Sequence, residues 1–296
     1  MRDFIDREEE LGFLESQAAS SRAELVVLYG RRRVGKTELL RRFCAGRPHV
    51  FFVAARSTSE QLLRDFARCL SEVPDSPLPP GTVPDSWPSA FQLLALLGRD
   101  RRFLVVLDEF PYLLEADPAI PSYLQNLWDT TLRRTRLMLV LCGSSVSVME
   151  SEVLGQASPL YGRRTAQWHL RPLSYRDAAA FFPRYSPEDR LKAYGVLGGM
   201  PAYLEQFDPD RSLADNVVDR VLRRGAMLYE EAYFLLQAEL REAARYHAAL
   251  TALGGGALAT TRSPAPSSAR RPREVPSRTS TGWRCWDSWS VWYLSR

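Results

Sequence analysis

Residues Gly30-Arg31-Arg32-Arg33-Val34-Gly35-Lys36-Thr37 fit the pattern G-x-x-x-x-G-K-[ST], and few short patterns limit a fold so sharply. An apolar run, Leu25-Val26-Val27-Leu28-Tyr29, leads in, and a helical pattern, Glu38-Leu39-Leu40-Arg41-Arg42-Phe43, leads out. Strand, glycine loop and helix in that order make a cradle for phosphate. The glycines let successive backbone N–H groups turn inward, the helix adds the positive end of its dipole, and Lys36 adds a mobile cation. The expected phosphate-binding set is therefore Gly30 through Thr37 with the adjoining Glu38, and the Thr37 hydroxyl is the expected ligand of a magnesium ion. With 17 glycines and only two lysines, Lys36 and Lys192, in 296 residues, a fortuitous match is expected in roughly one such chain in a thousand. Coincidence is the weaker explanation.

A second signal lies 72 residues beyond Lys36. The run Arg102-Phe103-Leu104-Val105-Val106-Leu107 ends in Asp108-Glu109. A carboxylate at the tip of a buried strand is suited to holding magnesium opposite Thr37, and Glu109 beside it to drawing a proton from water. The spacing leaves room for one strand between the motifs, and Val50-Phe51-Phe52-Val53-Ala54 supplies it. A fourth run, Leu137 to Cys142, ends in Gly143-Ser144-Ser145. If that strand lies between the other two, Ser144 or Ser145 can reach a terminal phosphate; either can equally cap a helix starting at Val146. With Ala166 to Leu170 as a fifth strand and helical patterns between, the chain predicts an α/β fold: a three-layer core, residues 1–170, around a mainly parallel five-stranded sheet. Helices are expected over Glu60–Cys69, Phe91–Leu97 and Tyr123–Leu132, with a surface loop over Pro74–Pro88.

Residues 171–253 read as a small helical lid, with helices over Ser174–Phe182, Pro187–Leu197, Asp215–Leu222 and Leu228–Ala249. Gly198-Gly199-Met200-Pro201 breaks the pattern sharply, either as a helix stop or as a lid contact placing Pro201 by the nucleotide. Asp6 to Glu9 fits a capping box for the first helix. Tyr161-Gly162-Arg163-Arg164 offers guanidiniums that could offset transition-state charge, from the same chain or a neighbour; the plain alternative is a surface pair.

From Gly254 onward apolar periodicity stops. Four of the seven tryptophans, Trp283, Trp286, Trp289 and Trp292, fall in the last fourteen residues. This stretch reads as an irregular tail or as a shifted-frame remnant of a lost domain. From Ala252 it holds seven arginines against Glu274 and Asp287, so of the overall +4 it carries +5 and the rest of the chain −1. Global charge thus makes no case for nucleic acid. Cys44, Cys69, Cys142 and Cys285 lie too far apart for metal-ligand spacing and suit reduced thiols in the cytoplasm, and no run has the length of a membrane span.

Together, the triple-arginine phosphate loop, Asp108-Glu109-Phe110-Pro111-Tyr112-Leu113-Leu114, and Tyr161 to Arg164 followed by Leu170-Arg171-Pro172-Leu173-Ser174 resemble the archaeal-type P-loop ATPases, relatives of the AAA+ and STAND ATPases. The resemblance runs from Phe4 to Leu253. It implies ATP and Mg2+ as ligands, Lys36 and Glu109 as catalytic groups with Ser144, Arg163 and Arg164 as candidates, and Thr37 with Asp108 at the metal. It also implies that Phe4 to Leu11 packs near the adenine, and that Pro201, in Gly199-Met200-Pro201, lies by the base. The expected activity is ATP hydrolysis coupled to lid movement, with a nucleotide switch of negligible turnover as the alternative and a small-molecule kinase as a third reading. Family members usually continue into a winged-helix domain, and often a nuclease-like one. The sequence after Leu253 does not match it, so DNA binding through that domain does not carry over, and a protein partner or self-association is left without a named surface.

Overall fold

The computed structural model describes residues 5–239 and 242–254. Phe4, the tryptophan-rich stretch and the shifted-frame reading lie outside the described residues. The chain divides into two compact units: one runs to Arg184 and takes in Leu197–Pro209, and the other comprises Tyr185–Val196 and the chain from Asp210.

The first unit is a five-stranded sheet whose strands are all parallel. Its elements are α1 (Glu8–Ala18), β1 (Glu24–Tyr29), α2 (Lys36–Cys44), β2 (His49–Val53), α3 (Ser59–Ser71), α4 (Trp87–Leu97), β3 (Phe103–Asp108), α5 (Phe110–Ala116), α6 (Ile120–Thr130), β4 (Leu137–Gly143), a short α7 (Val146–Val148) that runs on as π-helix to Leu154, β5 (Ala166–His169) and α8 (Tyr175–Ala178). The strand order is β2-β3-β4-β1-β5. β4 therefore lies between β1 and β3, the condition on which the Ser144 reading depended. The three central strands are buried at every residue, whereas β2 and β5 alternate, as edge strands do. Alternation sends Leu25, Val27, Val105 and Leu139 into a core under α3 to α6. Val26, Leu28, Val106 and Val140 pack with Leu39 and Phe43 of α2 on the opposite face.

Three local expectations change. The capping box is absent: Arg7, not Asp6, precedes α1, and its φ of 87° lies in the left-handed region with no side-chain cap. The reason is Arg7 itself, whose buried guanidinium turns inward. The supposed loop to Pro88 ends earlier, because Ser86 accepts from the Ser89 N–H and Trp87-Pro88 form the first turn of α4, where proline costs no hydrogen bond. Leu228–Ala249 is two helices rather than one. In the second unit, α12 (Glu231–Glu239) and α13 (Ala243–Gly254) pack on each other with Tyr233 and His247 edge to face at 5.5 Å. The same unit contains most of α9 (Pro187–Leu197) and α11 (Leu213–Val217), which continues as π-helix to Leu222. Its buried Asn216 donates to the Tyr185 hydroxyl at 2.8 Å.

The short helix α10 (Pro201–Leu204) returns to the first unit. At that unit's opposite edge Arg102 binds the carbonyls of Ala18 (3.0 Å), Ser20, Arg22 (3.0 Å) and Arg136 (3.0 Å), tying the entries of β1, β3 and β4. Arg102→Ala should cost about 2 kcal/mol, from charge-assisted bonds that are lost together, and lower the unfolding midpoint by about 5 °C. Thermal denaturation followed by circular dichroism measures it; an unchanged midpoint would show that the three loops hold without their tie.

Candidate functional site

The loop after β1 closes on itself and on the strand tips around it. Gly30 has no room for a side chain, since a Cβ there would meet the Leu170 carbonyl oxygen at 2.2 Å. Gly35 has φ 97°, a left-handed turn that lets α2 start at Lys36. The buried Lys36 ammonium donates to the carbonyls of Gly30 (2.8 Å) and Arg31 (2.9 Å), inside the loop it would share with a phosphate. Burial pushes its pKa down, while Cys142, Glu109 and Asp108 pull the other way.

Thr37 Oγ1 donates to Asp108 Oδ2 at 2.6 Å. Asp108 is completely buried at the end of β3, and its other oxygen accepts the Glu109 N–H at 2.9 Å. Glu109 has φ 52°, a left-handed conformation that costs a non-glycine residue about 1–2 kcal/mol and turns its carboxylate towards the end of β4. There the Ser144 hydroxyl donates to Glu109 Oε1 at 2.5 Å and the Ser144 N–H to Oε2 at 3.4 Å. The residues predicted from three separate stretches thus meet at one point. Ser145 takes the N-cap position of α7 but makes no side-chain cap bond.

The set fits a nucleotide triphosphate with magnesium. A hydroxyl and a carboxylate 2.6 Å apart are hard oxygen ligands, and no cluster of three or more metal-binding side chains exists among the described residues. An ion there would complete its shell with phosphate and water, as magnesium does.

The rest of the loop is braced from outside. Arg32 donates to the Tyr112 hydroxyl at 2.8 Å, and Arg33, at φ 64°, stacks over Tyr203 at 5.6 Å. Val34 is buried; Arg31 and Glu38 lie at the rim, the latter exposed. Pro201 lies against Gly35, its Cγ 3.9 Å from where a Cβ would stand. The nearby Leu173 N–H donates to the Gly199 carbonyl at 2.7 Å.

Arg163 and Arg164 do not join this cluster. They lead into β5, whose entry lies beside the start of β1, with the Thr165 N–H on the Leu25 carbonyl at 2.9 Å. That is the far end of the strand from Gly30, about 16 Å away. Arg163 grips Asp129 at 2.8 Å, and Arg164 lies over Tyr161 and reaches the Leu154 carbonyl at 3.4 Å. The same-chain role considered for Arg163 is not what this geometry shows.

Two contributors escaped the sequence reading. Arg7 sends its guanidinium to the Val34 carbonyl (3.0 Å), the Arg171 carbonyl (2.9 Å) and Glu10 (2.7 Å), pinning the phosphate loop to the segment after β5. The only signal was an arginine set inside an acidic run. Cys142, fully buried on β4, contacts Asp108, and burial followed by that carboxylate raises its thiol well above the usual range. Burial likewise pushes Cys44 up to about 12. Both raised values keep the protonated thiol dominant until far more alkaline pH. In native protein Cys44 and Cys142 should therefore resist iodoacetamide at pH 9, where unfolded chain, near its ordinary thiol pKa of 9.0, alkylates readily. Peptide mass spectrometry before and after denaturant checks this; equal labelling would mean that the strand tips open.

Comparison with known proteins bears on the family and the fold. The model of an ATPase domain found predominantly in Archaea matches residues 4–207. An uncharacterized protein of Methanocaldococcus jannaschii is 34% identical over 254 residues, covering 86% of this chain and 54% of its own length. The chain thus spans about half of that relative. Among solved structures, a Walker-type ATPase of Pyrococcus abyssi matches with a TM-score of 0.62 at 24% identity, covering 85% of this chain and 79% of that one. The Aeropyrum pernix ORC2 protein, solved as ADPNP–ADP complexes, matches at 0.50 and 15%, covering 86% and 88%. These two show the P-loop NTPase fold. No helix among the described residues is long and apolar enough to cross a membrane. The chain belongs to the ATPase-domain family found predominantly in Archaea.

Proposed function

We propose that this chain binds ATP with magnesium and hydrolyses it to ADP and phosphate. The observation that carries the reading is the 2.6 Å bond between Thr37 and Asp108, with Glu109 next in sequence and Ser144 against it. Lys36 and the loop N–H groups hold the β- and γ-phosphates, and Thr37 and Asp108 would hold the metal, which when bound would offset charge on the phosphate oxygens. Glu109 accepts a proton from water as the water oxygen bonds to the γ-phosphorus and the bridging P–O bond to the β-phosphate breaks. Arg163 and Arg164, bonded to Asp129 and the Leu154 carbonyl, are left for the site of a neighbouring copy. Pro201 lies by the base, and of the segment 171–253 expected as a lid, the part outside the first unit, Tyr185–Val196 and Asp210–Leu253, is the one whose movement follows the state of the nucleotide.

One observation favours the slower alternative, a nucleotide-dependent switch of the STAND type. Both Glu109 oxygens are engaged by Ser144, so the base is held until something draws the serine away.

Lys36→Ala should abolish ATP binding, and Glu109→Gln should keep it while lowering turnover about a hundredfold or more. Isothermal titration and phosphate release measure the two, and wild-type turnover in Lys36→Ala would overturn the site. Single-turnover kinetics separate the readings: ADP appearing within minutes supports an ATPase, ATP bound intact for hours the switch. In the switch, Ser144→Ala should speed the chemical step; in the ATPase it should slow it.

A further inference from the structure

The edge of the sheet remote from the phosphate loop is lined with arginines. Every strand is entered through at least one: Arg22 before β1, Arg47 before β2, Arg99, Arg101 and Arg102 before β3, Arg133, Arg134 and Arg136 before β4, and Arg163 and Arg164 before β5. Part of this row is structural. Arg102 caps carbonyls, Arg47 chelates Glu15, Arg101 pairs with Asp75 and Arg163 with Asp129. Arg164 lies over Tyr161 and bonds the Leu154 carbonyl, and the remaining five are not so used. Arg22, Arg99, Arg133, Arg134 and Arg136 are all exposed, and among the described residues none of the five pairs with a carboxylate.

These five sit on three neighbouring loops. Arg102 bonds the carbonyls of both Arg22 and Arg136, and the Arg136 N–H bonds the Gly98 carbonyl at 2.7 Å, so the entries to β1, β4 and β3 lie side by side. Their strands are adjacent in the sheet, which spaces the loops over roughly 10 Å, about three base-pair rises. The acids facing this row are few. Asp100 is exposed, Glu24 is buried beside Arg102, and Asp75, Asp129 and Glu15 are taken by their own arginines. A chain that is nearly neutral without its last stretch thus concentrates positive charge on one edge.

We propose that this edge docks the phosphate backbone of duplex DNA, bound without regard to sequence. A protein partner would call for an apolar or aromatic centre. Among the described residues the exposed large apolar side chains of this unit are Val53, Val83, Leu96 and Tyr161, and of these only Leu96, at the end of α4, adjoins the three loops in sequence. A single strand would call for aromatic faces on which bases stack, and residues 20–23, 98–102 and 132–136 contain no aromatic residue. A duplex backbone asks only for cations at phosphate spacing.

The test uses the full 296-residue chain, a short fluorescein-labelled duplex DNA and fluorescence anisotropy across a salt series. The variant R99E/R133E/R134E should lose about tenfold or more in affinity at low salt, and its log–log salt slope should be shallower by about 2–3. R99K/R133K/R134K should bind like wild type. Thermal unfolding and ATP turnover should be the same in all three, because the edge lies a strand's length from the loop. No duplex binding by wild type at ~50 mM salt would overturn the proposal. So would full binding by the Glu variant, which would move the contact to the arginines between Arg262 and Arg296. Displacement by polyglutamate as readily as by unlabelled duplex would also overturn it, in favour of an acidic protein. Tighter binding of single strands would overturn it in favour of a different geometry.

Discussion

The site depends on satisfying one buried carboxyl group, Asp108, where water cannot reach it. Asp108 has no solvent exposure, and a carboxyl group so placed is tolerable only if each of its oxygens finds a partner. Thr37 supplies one, the Glu109 N–H a second, and Lys36 lies near enough to exchange charge influence with it. Each donor comes from a different constraint. Thr37 is in reach because Gly35 turns the chain into α2 at that point. The Glu109 N–H is in reach because its own residue accepts a left-handed conformation. If β4 did not separate β1 from β3, the loop and the carboxylate would not face each other across one strand.

The same geometry makes the site self-satisfied. Lys36 lies on loop carbonyls, Thr37 on Asp108, and Ser144 on Glu109. A triphosphate must compete with each of these bonds, so part of its binding free energy goes into rearranging the protein. On the proposed function that exchange would link occupancy to conformation, since the loop is also bonded through Arg7 to Arg171 and touches Pro201 and Tyr203.

Most of the first unit was legible because a parallel sheet buried on both faces needs apolar runs, and this sequence has four in the right places, with the alternating Ala166-Gln167-Trp168-His169 at the sheet's edge as the fifth strand. All five predicted strands appear within a residue of their expected limits. The site was legible where its chemistry is local in sequence, as in Gly30 to Thr37 and Asp108-Glu109. It was not legible where a side chain acts across the fold. Arg7 bonds to Val34 and Arg171, 27 and 164 residues away, and nothing in its neighbours announces that. Asp6 and Glu9 satisfied a capping pattern, yet the buried guanidinium imposed a left-handed turn that the pattern could not contain. Ser86 and Pro88 could have placed the start of α4 correctly, had the proline been weighed as a first-turn residue rather than as a loop signal.

A parallel α/β layout also explains why cations gather at both ends of one sheet for different reasons. Strands and helices alternate in direction, so helix N-termini collect at the edge that bears the phosphate loop and helix C-termini at the other. At the first edge, N–H groups and Lys36 form an anion receptor. At the second, bare carbonyls attract arginine: Arg102 satisfies the end of α1, and Arg47 reaches the Phe43 carbonyl at the end of α2. Capping of this kind consumes only part of the arginine present. Among the described residues Arg99, Arg133 and Arg134 cap no carbonyl, and exposed like charges crowded onto adjacent loops repel one another. Stability alone gives no reason to place them together, whereas a polyanion crossing the edge would convert that repulsion into attraction.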